Sequence, residues 1–141
     1  METREIERRL RGSPSFLGVY PSDQLPIIST YPASLVVNLD PSTSPGSHWI
    51  AIYFDKDGIG EYFDSFGIEP LLPQLSKFME SNSLCYGINK YTFQHETSTK
   101  CALFCIVFIR IKDHGYNFCS ILHLLSKFPL INDLLIENYA N

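Results

Sequence analysis

Three residues, in chain order His48, Asp64 and Cys101, have the side-chain types that thiol-based acyl transfer needs. A sulfur nucleophile needs a base to share its proton, the base needs a group that orients it, and the developing oxyanion needs hydrogen-bond donors. Cys101 has the most informative surroundings. Gln94 to Ile111 reads Q-H-E-T-S-T-K-C-A-L-F-C-I-V-F-I-R-I, and from Cys101 to Ile109 every residue is apolar or a cysteine, with no Gly or Pro. Such a run predicts a helix buried on all sides and too short to cross a bilayer. Cys101 falls in its first turn, with Thr97, Ser98 and Thr99 just ahead as candidate N-caps. The positive end of the helix macrodipole favours a thiolate at that place.

The remaining thiols and imidazoles are weaker candidates. Cys105 lies one helical turn beyond Cys101 and reads as a small buried hydrophobe. His95 stands in the loop before the helix, and His114 lies at its far end, about 20 Å from Cys101 by the helical rise. His123, on an apolar helical stretch, reads as a satisfied core or surface residue. Cys101 and Cys105 together with His95, His114 and His123 raise a zinc alternative. Structural zinc sites pair closely spaced cysteines on loops, however, and a continuous apolar helix is a poor frame for one. No metal and no cofactor is expected.

His48 opens the stretch H-W-I-A-I-Y-F (His48–Phe54), rich in aromatic and β-branched residues. Asp55-Lys56-Asp57-Gly58 is its turn, and the return strand runs from about Ile59 to Phe63. A hairpin in that register brings Asp64 beside His48, near enough to accept a bond from Nδ1–H and fix the tautomer. Taken alone, the pair reads more readily as two chance neighbours at a hairpin's open end than as catalytic machinery.

These residues need a scaffold. Thr3–Leu10 reads as an amphipathic helix capped by Thr3, and Phe16–Pro26 as loop with some extended backbone. Tyr31–Leu39 holds a buried strand, and residues 40–47 form a turn-rich loop. Pro70–Ser81 has helical spacing, Cys85–Phe93 alternates as a strand, and Cys119–Ser126 and Asn132–Tyr139 read as two short helices. The pattern is α+β: a mostly antiparallel central sheet packed against a buried helix that carries the thiol. At 141 residues the chain (1–141) is one domain with a sizeable core.

Charge and composition narrow the partners. A net charge of −4 disfavours wholesale electrostatic binding to DNA. Arg4, Arg8, Arg9 and Arg11 alternate with glutamates and read as a solvated helix face. The start lacks an apolar signal region and no run reaches membrane-spanning length. An intracellular protein with reduced thiols, and no membrane partner, is therefore expected.

The ordered set His48-Trp49, Asp64-Ser65-Phe66-Gly67 and Gln94 through Cys101 to Cys105 resembles the adenovirus-type (adenain-like) cysteine endopeptidases. These sit within a wider group that includes the SUMO- and ubiquitin-like-protein-specific proteases. The match is best to the branch encoded by large eukaryotic DNA transposons and related viruses. Gln94 stands seven residues before Cys101, similar to the adenoviral spacing, and F-L-G-V-Y-P-S-D-Q-L-P near the N-terminus resembles the same branch. The resemblance implies a papain-like fold with Cys101 as nucleophile, His48 as general base and Asp64 orienting the imidazole. It implies that Gln94 and the Cys101 N–H form the oxyanion hole, and that Trp49 walls the substrate site.

The implied activity is thiol-protease cleavage of viral or transposon-encoded structural precursors at glycine-containing sites, as in virion maturation. Host nucleus, cytoplasm or virion is the implied location. The resemblance admits an activating peptide, with Cys85 near the position of a peptide-pairing cysteine. Two alternatives stand beside this reading: a ubiquitin-like or SUMO-type deconjugating isopeptidase, and a non-catalytic binding module that kept the fold. One departure bears on the last. Ala102 stands where the family has glycine after the nucleophile. In the first turn of a helix alanine is harmless.

Overall fold

The computed structural model describes residues 1–40, 48–89, 92–94, 100–116, 132, 136–137 and 140. Among them three helices and five strands form in the order α1 (Thr3–Leu10), β1 (Phe16–Pro21), β2 (Ala33–Asn38), β3 (Trp49–Phe54), β4 (Ile59–Phe63), α2 (Pro73–Asn82), β5 (Cys85–Ile88) and α3 (Cys101–Asp113). The strands make one sheet in sequential order, β1-β2-β3-β4-β5. Its two central pairings are antiparallel, and the outer two, β1 with β2 and β4 with β5, are parallel. The expected antiparallel character belongs to the centre of the sheet.

The sheet has a core on each face, and the alternation of β3 assigns residues to them. Trp49, Ala51 and Tyr53 face the side that holds Cys101, Phe104, Cys105 and Phe108 of α3. Ile50, Ile52 and Phe54 face Leu75, Phe78 and Met79 of α2. Every residue of β3 is buried, as befits a central strand covered on both sides. The all-round apolarity of α3 has the same cause. One side lies on β3, and Ile6 and Leu10 of α1 with Ile136 and Ala140 belong to the cluster that encloses it. Phe63 and Phe108 stack nearly parallel across this core, 4.7 Å between centroids and 4° between planes. Burying a side chain of that size contributes roughly 1.5–3 kcal/mol. At its polar end α3 is tied down by Arg110, whose guanidinium donates to the carbonyls of Arg9 (3.0 Å) and Ala140 (2.7 Å).

Several local expectations are corrected. Phe16–Pro21 is a strand, not a loop. It lies at the sheet edge, where a proline costs no ladder bond, and a register irregularity between Phe16 and Gly18 absorbs the glycine. The N-cap of α1 is Glu2 and not Thr3, because the Glu2 carbonyl already accepts from the N–H groups of Glu5 and Ile6. Helix α2 begins at Pro73 rather than Pro70, with the proline at a first-turn position where its missing N–H has no cost. Strand β5 stops at Ile88, well short of Phe93, because the next residue, Asn89, turns its side chain to the Asp64 backbone. The N-cap of α3 is Lys100, which makes no side-chain cap bond. Thr97, Ser98 and Thr99, the loop over residues 41–47 and the helix read over Cys119–Ser126 lie outside the described residues. Of the helix read over Asn132–Tyr139, the described positions Asn132, Ile136 and Glu137 are helical. The N-terminal basic cluster is partly neutralised locally, with Arg8 and Arg9 on Glu5 at 2.7 and 2.9 Å. No helix among the described residues is long and apolar enough to cross a membrane.

Candidate active site

The site forms where the β3–β4 hairpin opens. Ala51 pairs with Phe63. Carrying that register outward sets His48 opposite Phe66 and diagonal to Asp64, and the His48 and Phe66 rings lie 5.1 Å apart. His48 Nε2 meets Asp64 Oδ1 at 3.0 Å. The sequence reading had Nδ1 in that role. Diagonal neighbours across a hairpin lie about 7–8 Å apart, so the ring nitrogen farther from its own backbone makes the contact. Nε2 is thereby committed to the carboxylate, and Nδ1 is the ring nitrogen left for Cys101.

Asp64 is fixed from several directions. It is only 1% exposed. Its Oδ1 also accepts from the Phe66 N–H at 2.8 Å. Asn89 brackets its backbone, donating Nδ2–H to the Asp64 carbonyl (2.6 Å) and accepting from the Asp64 N–H (2.9 Å). Gly67 closes the turn with φ 73°, a left-handed conformation that favours glycine, and its N–H bonds the Asp64 carbonyl.

Cys101 is the first residue of α3 and is buried. Its thiol is among the groups that set the electrostatics of the His48 ring. Burial of the imidazole pulls its pKa down. The Asp64 hydrogen bond, the Cys101 hydrogen bond and the charges of both partners outweigh burial and raise it from 6.5 to about 9. The balance favours the protonated ring. Cys105, fully buried one turn along the helix, has its thiol pushed well up by burial, with the nearby Cys101 and Asp64 charges adding to it.

Gln94 is fully buried at the same end of the sheet. Ser65 Oγ donates to its Oε1, and the Ser65 carbonyl accepts from the N–H groups of Phe93 (2.8 Å) and Gln94 (3.0 Å). Two further bonds hold this segment: Thr92 Oγ1 to the Phe66 carbonyl at 2.8 Å, and Asn132 Nδ2 to the Phe93 carbonyl at 3.2 Å. Trp49 is 6% exposed and packs in the same apolar cluster as Cys101. Ala102 is helical and buried, and no non-glycine residue among those described has a positive φ. The backbone there does not require glycine. Beside the imidazole, toward α2, opens a cavity of about 230 Å³ lined by Leu39, Tyr62, Ile68, Leu72 and Leu75 along with His48 and Asp64.

The structure thus brings together His48, Asp64, Cys101 and the segment of Gln94, each from a different part of the chain. Other sequence candidates stand elsewhere. His114 caps the far end of α3, where its Nδ1 lies 2.7 Å from the Arg110 carbonyl. Cys85 is exposed on the edge strand. His95, Cys119 and His123 lie outside the described residues. Among the described residues, no group of three His, Cys, Asp or Glu is arranged to hold a metal. Residue-by-residue reading overlooked Ser65, Asn89 and Phe66. A signal for Ser65 was present in principle: a glutamine beside a buried helix needs partners for its amide, and a hydroxyl next to Asp64 is a natural supplier.

A helix-borne thiol at the end of a hairpin that carries a histidine and an aspartate is the frame of a cysteine-protease fold. Solved structures share that fold. The ASFV pS273R protease superposes with a TM-score of 0.66 at 14% identity, over 98% of this chain and 63% of that one. The chain therefore spans under two thirds of that protease. The SUMO protease Ulp1, with its catalytic cysteine oxidised to a sulfinic acid, gives 0.54 at 12% identity over 100% of this chain and 79% of the other. The central domain of the uncharacterized Lpg1148 protein from Legionella pneumophila gives 0.53 at 14% identity, covering 99% and 96%. No protein-family model and no curated sequence matches the chain. The fold class is the α+β fold of pS273R and Ulp1.

Proposed function

We propose that the chain is a cysteine endopeptidase in which Cys101 is the nucleophile, His48 the base and acid, Asp64 its orienter, and Gln94 an oxyanion donor. The observation that carries this reading is the His48 ring, bonded through Nε2 to a buried carboxylate and electrostatically coupled to the first thiol of a buried helix.

In the proposed reaction the Cys101 sulfur attacks the scissile carbonyl carbon, and the π electrons move onto oxygen. The side-chain amide of Gln94 and the Cys101 backbone N–H donate to that oxyanion. As it collapses, the C–N bond breaks and the departing amine takes the proton from His48 Nδ1. A thioester remains. Neutral His48 then accepts a proton from water as the hydroxyl adds; the second tetrahedral species expels the Cys101 sulfur and leaves a carboxylic acid, which gives its proton to solvent as it departs. Asp64 stays ionised and holds the ring through both steps. Trp49 supplies a rigid apolar wall beside the sulfur.

The substrate is a protein chain with glycine at or near the scissile bond, in the manner of adenain-like enzymes that process viral or transposon-encoded structural precursors. The greater similarity to the ASFV protease supports this choice. The complete coverage by the SUMO protease fold supports a second reading, removal of ubiquitin-like tails, which also end in an extended glycine-rich strand.

The deciding experiment is alkylation with chloroacetamide followed by mass spectrometry. A cysteine activated by a neighbouring base alkylates faster than an ordinary exposed thiol. Cys101 is expected to react far ahead of the exposed Cys85, with His48→Ala removing that lead. Equal labelling of Cys101 and the exposed Cys85 in the native protein rules the protease reading out.

A further inference from the structure

We infer that Ser65 is a positioning residue for the oxyanion hole, setting through its hydroxyl which end of the Gln94 amide faces the reacting carbonyl. The inference rests on the cysteine-protease reading, since it concerns what Gln94 does there. A glutamine amide has a donor end and an acceptor end of nearly the same shape. Only the NH₂ end stabilises an oxyanion. An amide flipped by half a turn would aim a carbonyl oxygen at the developing negative charge and oppose the reaction.

In this protein Ser65 engages the acceptor end of that amide. Its Oγ donates to Gln94 Oε1, so the oxygen is engaged on the Ser65 side and the NH₂ is directed to the other. Both side chains are fully buried, so water does not compete for the oxygen. The same residue also fixes the Gln94 backbone. The Ser65 carbonyl accepts from both Phe93 N–H and Gln94 N–H, which sets where the glutamine side chain starts. Ser65 directly follows Asp64, the partner of His48. The group that orients the base and the group that orients the oxyanion donor are therefore joined by one peptide bond.

The test uses the whole chain and glycyl-glycine aldehyde as probe. The aldehyde adds the Cys101 sulfur to form a hemithioacetal, whose oxygen mimics the oxyanion. Its affinity is read as protection of Cys101 from chloroacetamide. Ser65→Ala should weaken the aldehyde about tenfold, a fraction of the loss that follows removal of a whole oxyanion donor. The alkylation rate of Cys101 without aldehyde, set by the thiolate, should stay within about twofold. In a Gln94→Ala background the further change Ser65→Ala should have no effect, which a merely structural role would not produce.

Ser65→Thr keeps the hydroxyl and should keep the affinity. Ser65→Cys, of similar size but a weak donor, should lose it, and this pair decides the matter if the alanine variant does not fold. Equal aldehyde affinity in native protein and in the Ala and Cys variants overturns the role of Ser65 alone. A native protein whose Cys101 alkylates selectively but gains no protection from the aldehyde overturns the oxyanion-hole assignment and Ser65 with it. Absence of selective alkylation overturns the protease reading first.

Discussion

Replacing Asp64 by Asn should lower the His48 pKa and carry the alkaline edge of activity down with it. In the native site burial of the ring opposes protonation. Four contributions outweigh it: the hydrogen bonds of Asp64 and Cys101, then the charges of Asp64 and Cys101, leaving a pKa of about 9 against an ordinary 6.5. Asparagine keeps the shape and an oxygen for the Phe66 N–H but loses the charge. That displacement amounts to a few kcal/mol at most between protonation states, reduced by solvent screening of the partly exposed ring. Two of the four upward contributions, the largest included, belong to Asp64. The midpoint should therefore fall by at least about 1 unit, and by less in Cys101→Ser.

Titration of the His48 ring by NMR reads this directly. The alkaline limb of kcat/KM, on which imidazolium is lost as an acid, should move with it as the apparent value of the His–Cys pair. Stability follows the same proton. The folded value lies above the unfolded one, so the stabilisation is complete below about pH 6.5 and is lost as pH rises through about 9. Thermal melting of the native protein should decline across that window and flatten in the variant. A His48 midpoint that stays within about 0.3 unit in Asp64→Asn refutes the assignment of the charge to the Asp64 carboxylate.

Gln94→Ala should reduce kcat for cleavage of a glycine-containing peptide about 10²–10³-fold, with KM little changed, in a steady-state assay. A proportional rise in KM with kcat preserved would mark Gln94 as a ground-state contact instead. Phe108→Ala removes the ring stacked on Phe63 at 4.7 Å and should cost about 3–5 kcal/mol in urea unfolding. A loss under about 1 kcal/mol would show that the α3 side of the core relaxes into the space.

The large elements were legible in the sequence because each has a periodic or compositional cause. The run from Cys101 to Ile109 is a buried helix wherever it sits, and the aromatic and β-branched residues of His48–Phe54 around Asp55–Gly58 admit little besides a hairpin. That hairpin also placed Asp64 beside His48. The choice of ring nitrogen was not legible, because it depends on a diagonal offset of one residue pair and not on residue type. Edge elements were read less well for a related reason. In Phe16–Pro21 the local signals, Gly18 and Pro21, are those of a loop, and only the parallel partner β2 makes the segment a strand. Thr3 offered a cap hydroxyl, yet the helix starts one residue earlier with the Glu2 carbonyl. Capping energies of about 1 kcal/mol are small enough for the packing of Ile6 and Leu10 to override.

The arrangement of buried polar groups bears on the alternative of a non-catalytic module with the same fold. Asp64, Ser65 and Gln94 are at most 1% exposed, and they sit beside an otherwise apolar core. Taking such groups out of water costs about 1–3 kcal/mol apiece unless each finds a partner. Here the Asp64 carboxylate is met by His48 and the Phe66 N–H, Ser65 and Gln94 bond each other, and the backbone around them is tied by Asn89, Thr92 and Asn132. A module that only had to keep its shape could fill the same volume with apolar side chains and dispense with the network, since well-packed apolar replacements are often neutral or stabilising. A catalyst has a use for it. Donors and carboxylate held rigidly before substrate arrives need no reorganisation when the oxyanion forms. By that reasoning the Ala102 departure weighs less than the buried hydrogen bond between Ser65 and Gln94. The first is compatible with any helix start, whereas the second has a physical rationale chiefly in a site where a negative charge must develop.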